Sequence, residues 1–223
     1  MPIFYPNHEG SCMIQLYTWG TPNGRKVSIL LEELGLPYTV HPVNIGRDEQ
    51  FAPAFLAIAP NNKIPAIVDD AAEGGSLSVF ESGAILTYLA ETSGRFLAPS
   101  GPARVRALEW LYWQVGGLGP MLGQLGFFAL RAPEKVPLAI GRFTEECDRL
   151  LGVMDRRLVE VPYLAGEEYT IADIACYPWT YAASTFLKDV LAASLAAKPA
   201  IRRWLAVVGA RPAVVRGMAV PGS

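Results

Sequence analysis

Residues 13–94 change hydrophobic period every few positions, and this alternation restricts the possible folds more than any other feature of the chain. MIQLYT (13–18) reads as a short strand. GRKVSILLEELGL (24–36) reads as a helix, with Val27, Leu30, Leu31 and Leu34 at helical spacing and Gly35 placed to cap its end. YTVHPV (38–43) is a second strand, and DEQFAPAFLAIAP (48–60) a short, broken helix ending before Pro60. AIVDD (66–70) and LSVF (77–80) form a strand pair around the acidic, glycine-bearing turn AAEGGS. ESGAILTYLAETSG (81–94) is then a helix stopped by Gly94.

The order is β-α-β-α-β-β-α. A strand-helix-strand opening favours a parallel pair with a right-handed crossover, and the later pair adds an antiparallel hairpin. That is the thioredoxin-like arrangement, an α/β unit over 13–94. RFLAPSGPA (95–103), with two prolines and a glycine, reads as a linker. The pattern after it is helical throughout, so a second, all-α domain is expected over 104–215, followed by a tail at 216–223. Residues 1–12 read as an irregular extension without the basic and apolar regions of a signal peptide, and Met13 could serve as an alternative start.

Composition narrows the function. A formal charge of −2 with scattered Arg and Lys lacks the basic stripe of a nucleic-acid binder. The 51% apolar content points to an oligomer interface or an apolar cleft. The uncharged stretch 110–130 is long enough to cross a membrane. Its five glycines, one proline and two glutamines, with the amphipathic lead-in RVRALEW, favour a kinked buried or interfacial helix instead. Three distant cysteines and two histidines offer no zinc spacing and suit a reducing cytoplasm.

Four local signals carry chemistry or its absence. In TPNG (21–24), Pro22 suits a first helical turn and Thr21 is a natural N-cap. The same turn in a thioredoxin-like unit is where a helix N-terminus stabilises a thiolate. No cysteine stands there, so the sulfur would arrive on a ligand, with the Thr21 hydroxyl and Asn23 amide as donors. Ile64-Pro65, just before a strand, is a candidate cis bend that would expose the Ile64 backbone to an extended peptide. Lys63 beside it either holds a carboxylate or is a solvated loop lysine. Glu81-Ser82 opens a helix, where Ser82 could meet a carboxylate and Glu81 an ammonium, or both could simply cap. In YTIADIACYPW, Thr170 and Asp173 read as an acidic capping box, in preference to a catalytic carboxylate. Near the C-terminus, Pro212 should stop the last packed helix.

A thiol site, an extended-peptide edge and an amino-acid head-group site are the parts of a glutathione site. TPNG, APNNKIPAIVD, FESGAILTYLAE, LEWLYWQVGGLGPMLGQ and IADIA, in this order and spacing, resemble the cytosolic glutathione transferases over about 13–215. The likeness is nearest to the nu class, bacterial glutathione-dependent disulfide-bond reductases related to a yeast nitrogen-regulation prion domain. It implies a homodimer using glutathione as co-substrate, either as a reduced pair or as the disulfide. It carries the family's sulfur-binding roles onto Thr21 and Asn23, and its glutathione-binding positions onto Gln50, Lys63, Ile64, Pro65, Glu81, Ser82 and Arg142. Tyr17 lies inside the strand, several residues before the turn, and is not the catalytic tyrosine of other classes. The extension 1–12 and LGFFALRAPEK (125–135) depart from the family pattern.

The resemblance implies that bound glutathione reduces a small disulfide, with no protein cysteine in the cycle. The alternatives are conjugation to an apolar electrophile or peroxidase activity, with Trp110, Trp113, Phe127 and Phe128 either as an apolar wall or, the preferred reading for the two tryptophans, as core or dimer interface, and a non-catalytic glutathione carrier.

Overall fold

A computed structural model describes residues 14–222, so the expectations for 1–13, including Cys12 and the alternative start, lie outside the described residues. The described residues divide into two compact units, one of 14–99 with 211–222 and one of 100–210.

The first unit is built on a four-stranded sheet in the order β2-β1-β3-β4. Strand β1 (Ile14–Thr18) runs parallel to β2 (Tyr38–Pro42) and antiparallel to β3 (Ala66–Asp69). Strand β4 (Leu77–Phe80) is antiparallel to β3. The unit therefore has the thioredoxin-like arrangement. Helix α1 (Pro22–Leu34) buries Val27, Leu30 and Leu31, and Gly35 closes it in the left-handed conformation at φ 69°. Helix α3 (Ser82–Ser93) buries Ile85, Leu86, Leu89 and Ala90, and Gly94 closes it in the same way. Each fully buried Leu or Ile contributes about 1.5–3 kcal/mol, so the two helix faces with Leu16 and Ile67 beneath them dominate the stability of this unit.

Between β2 and β3 the chain is less regular than one broken helix. Two 3-10 turns (Ile45–Arg47 and Glu49–Phe51) precede a four-residue helix α2 (Pro53–Leu56). Pro53 opens α2 from its first turn, and the preceding Ala52 is extended, as a residue before proline tends to be.

Register explains how the unit makes a site. Tyr17 pairs with Ala66, and Ala66 pairs with Phe80. The turn after β1, the residues before β3 and the residues after β4 therefore meet at one end of the sheet.

Helix α10 (Pro212–Met218) belongs to this unit and packs on α1. Pro212 does stand where a packed helix has ended, but it also opens α10 from the first turn. Arg211 holds Glu33 through two hydrogen bonds of 2.6 and 2.9 Å, and Arg216 meets Glu32 at 2.6 Å. Ser28 Oγ donates to the Gly217 carbonyl at 2.7 Å. A Cβ on Gly217 would lie 2.5 Å from the Ile29 Cα, so only glycine permits this approach.

The second unit is helical. Helix α4 (Gly101–Trp113) passes through a π-helical turn (Gln114–Leu118) into α5 (Gly119–Gly126), and a second π-turn (Phe127–Arg131) follows. Pro120 cannot donate its share of the helical ladder, and the π-turn just before it absorbs that defect. No helix among the described residues is long and apolar enough to cross a membrane. Helix α6 (Pro137–Glu160) turns Cys147, Leu150, Leu151, Met154 and Leu158 inward. The core helix α7 (Ile171–Thr185) is flanked by α8 (Lys188–Ala196) and α9 (Pro199–Gly209).

The Thr170 capping box is present, with Asp173 accepting from the Thr170 N–H at 3.1 Å. Asp173 is fully buried and also accepts from the Leu164 N–H at 3.0 Å and Trp204 Nε1 at 2.9 Å. It is a structural node of this unit.

Candidate active site

Strand β1 ends at Thr18, and the chain then turns into α1 through Thr21. Thr21 Oγ1 accepts the Gly24 N–H at 3.2 Å, as an N-cap should. A hydroxyl has one hydrogen and two lone pairs. Capping uses a lone pair and leaves the hydrogen to donate, so capping and binding an anionic sulfur are compatible roles for Thr21.

Gly24 has a steric reason to be glycine. A Cβ there would overlap the Trp19 carbonyl oxygen and Thr18 Oγ1. The first turn of α1 is thus pressed against the end of β1.

Beside this turn lies a cleft of about 170 Å³, lined by Asn23, Lys63, Ile64, Pro65, Phe80, Glu81 and Ser82. Six of the nine residues carried over from the family resemblance line it. The Ile64–Pro65 bond is cis, and Pro65 is buried while Lys63 is exposed. The Ile64 N–H and C=O meet no hydrogen-bond partner among the described residues, which leaves them open to an extended ligand backbone.

Glu81 does not cap α3 through its side chain. Its backbone stands at φ 71°, ψ 114°, a strained conformation for a residue with a side chain. Strain of this kind concentrates at ligand sites. The Glu81 carboxylate is exposed, without an ion pair among the described residues, at the mouth of the cleft. Behind it, Ser82 is buried, and its Oγ accepts from Lys26 Nζ at 3.3 Å. The first N–H groups of α3 have no intrahelical partners and favour an anion. One end of the cleft can therefore take a carboxylate and an ammonium together.

Three carried-over residues stand apart from the cleft lining. Thr21 caps α1 one residue before Pro22. Gln50 lies in the second 3-10 turn, where its Nε2 donates to Asp48 Oδ1 at 3.3 Å and its Oε1 is buried without a partner among the described residues. Arg142 is exposed on α6 of the second unit. Tyr17 is stacked on His41 at 4.6 Å, which is a packing role.

Sequence reasoning missed two residues of this region. Phe80 follows from strand alternation only once the register of β4 is known. Lys26 sits on the buried face of α1, where a charged residue has no signature in the hydrophobic pattern.

Neither of the described cysteines is placed for redox work. Cys147 and Cys176 are both fully buried, and burial pushes the Cys147 thiol up to about 12. The thiolate is the nucleophile, so Cys147 is inert near neutral pH. Among the described residues, no three His, Cys, Asp or Glu side chains are grouped to hold a metal ion.

Residues 21–92 match the model of the glutathione S-transferase N-terminal domain, and 120–212 that of the C-terminal domain. The chain is 51% identical to disulfide-bond oxidoreductase YfcG of Escherichia coli over 203 residues, covering 90% of this chain and 92% of that protein. It superposes on a glutathione transferase family member of Pseudomonas fluorescens with two glutathiones bound (TM-score 0.91, 45% identity, 96% of each chain). A Pseudomonas putida glutathione transferase with one glutathione disulfide per subunit gives a TM-score of 0.90 at 42% identity, covering 97% of this chain and 95% of that one.

Proposed function

Since the chain belongs to the glutathione S-transferase family, we propose that it is a homodimeric enzyme that reduces small disulfides with glutathione and uses no cysteine of its own. The observation that carries this reading is the convergence of three separate segments on one cleft. Asn23 marks the sulfur end, Ile64 and Pro65 the backbone edge, and Glu81 with Ser82 the γ-glutamyl end. In this reading Thr21 donates to the sulfur from the cap, while Lys63, Gln50 and Arg142 serve the remaining ligand groups. The names of the Escherichia coli relative and of the two glutathione-bound bacterial structures support it.

The reaction is two exchanges. A glutathione thiolate attacks one sulfur of the disulfide RSSR, forming a mixed disulfide and expelling RS⁻. A second glutathione thiolate attacks the glutathione sulfur of that mixed disulfide. Glutathione disulfide forms and the second RS⁻ leaves, each RS⁻ taking up a proton given by a glutathione thiol. Glutathione is oxidised and the disulfide reduced, with the electrons balanced.

The protein has to lower the thiol pKa and align the sulfurs. The α1 dipole supplies about 0.3–1 kcal/mol at an exposed terminus. A hydrogen bond to a charged sulfur adds about 1.5–3 kcal/mol. At about 1.4 kcal/mol per unit, the combination lowers the thiol pKa by one to three units.

Thr21→Ala and Asn23→Ala should each reduce kcat/KM for a model disulfide by about ten- to a hundredfold, the kinetic equivalent of one such bond. A variant with Cys12, Cys147 and Cys176 all replaced by alanine should keep its rate. Loss of activity in that variant, with both turn mutants active, would sink the mechanism. Rates on a haloarene and an organic hydroperoxide, measured alongside, should be far below the disulfide rate. Tight glutathione binding with no turnover on any of the three would mark a carrier instead.

Glu81 offers a second test. Its strain is worth about 1–3 kcal/mol, against about 0.5–1 kcal/mol of extra unfolded-state entropy for glycine. Glu81→Gly should therefore melt a few degrees higher than the wild type while losing glutathione affinity. A variant that melts lower would show that Glu81 holds the fold together.

A further inference from the structure

Lys26 is a charged residue on the core side of α1. It is 2% exposed, with Val27, Leu30 and Leu31 buried around it in the same helix. Lysine is almost never buried to this degree unless its ammonium is engaged. Here Nζ lies 3.3 Å from Ser82 Oγ, behind the first turn of α3.

The direction of that bond follows from chemistry. An ammonium has three hydrogens and no lone pair, so the Ser82 oxygen must accept. Ser82 itself is 8% exposed and lines the cleft, and its own hydrogen meets no acceptor among the described residues. The lysine therefore presents Ser82 to the cleft as a donor. It also places positive charge on the protein side of the helix terminus, where the free N–H groups of α3 already favour an anion. In a water-poor site such a charge acts more strongly than it would at the surface.

We infer that Lys26 is a positioning residue for the ligand's carboxylate. It orients the Ser82 hydroxyl and supplies the buried charge that selects the α-carboxylate of the γ-glutamyl group. This inference rests on the glutathione reading of the cleft. It predicts that the site discriminates against a ligand whose only change is loss of that carboxylate.

The probe pair is reduced glutathione and 4-aminobutanoyl-cysteinylglycine, which is glutathione without the α-carboxylate. Calorimetric titration should show that wild-type protein binds glutathione at least tenfold more tightly than the analogue. Lys26→Met, confirmed as folded by its melting curve, should lose at least tenfold in glutathione affinity and no more than twofold on the analogue. Equal losses on both ligands would mean that Lys26 only packs, and no loss on either would mean that it does not reach the ligand. Either result overturns the inference while leaving the glutathione reading intact. Should Lys26→Met fail to fold, Lys26→Gln, which keeps a donor without the charge, is read by the same criterion. Wild-type protein that binds neither compound overturns the glutathione reading itself, and this inference with it.

Discussion

Gly24→Ala should remove at least a hundredfold of the disulfide-reducing kcat/KM and about 1–3 kcal/mol of stability, the usual cost of overpacking a tight site. The added methyl would lie 2.4 Å from both the Trp19 carbonyl oxygen and Thr18 Oγ1, too close for either. A side-chain oxygen can rotate away, but a backbone carbonyl at the end of β1 cannot move without disturbing the strand. Relief must therefore come from the first turn of α1, which carries both Thr21 and Asn23. A displacement of about 1 Å at a positioning element can cost about a hundredfold in rate. Gly20→Ala is the control, because a Cβ there meets nothing within 4 Å although the residue lies in the same turn. Chemical denaturation and steady-state kinetics on both variants decide the matter. Wild-type stability and rate in Gly24→Ala would show that the turn is not held against β1 as described.

Gly24 also shows where legibility in the sequence ends. The letters TPNG mark a capped helix start, because Thr and Pro act through local backbone chemistry. The glycine acts through a contact with residues five and six positions earlier, across a turn, and such contacts leave no periodic trace. The same division holds through the first unit. Strands and helices were readable from period and from Gly35 and Gly94, whose left-handed caps are local. The meeting of Asn23, Pro65 and Glu81 at one cleft depends on the register of Tyr17 with Ala66 and of Ala66 with Phe80. Register is a pairing property, and a resemblance to a family could suggest it where periodicity could not.

The C-terminus makes the point from the other side. Pro212 marks a helix boundary in any context, but nothing in PAVVRGM says which unit the next helix joins. The answer lies in Gly217, which lets α10 approach Ile29 closely, and in the Arg211–Glu33 and Arg216–Glu32 pairs. The approach needs a partner surface that forms only after folding. Lys26 was overlooked for a related reason: an isolated charge within an apolar face looks like an interruption of the pattern until the group that it meets, Ser82, is known.

The largest loss of stability should come from Asp173→Ala, which leaves the buried Leu164 N–H and Trp204 Nε1 and the partly buried Thr170 N–H without their shared acceptor. Each buried unsatisfied donor costs about 1–3 kcal/mol, so a total near 3–5 kcal/mol is expected, in the range of the most damaging single substitutions. Asp173→Asn keeps the shape and one acceptor oxygen; it turns an amide donor toward the donors on the other side, at a cost that does not vary with pH, and it removes the titration. Burial raises the Asp173 carboxyl to about 6, against an opposing pull from its four hydrogen bonds. The native state then holds the proton more tightly than the unfolded chain, whose carboxyl titrates near 3.8. Below that value the contribution of this group is fully present, and it is lost as pH rises through about 6. The stability of wild type minus that of Asp173→Asn, measured by denaturant titration from pH 4 to 8, should accordingly fall, by up to about 3 kcal/mol at about 1.4 per unit. Taking the difference cancels the other titrating groups. A difference that grows with pH would mean that the hydrogen bonds outweigh desolvation and that Asp173 stays ionised in the core throughout.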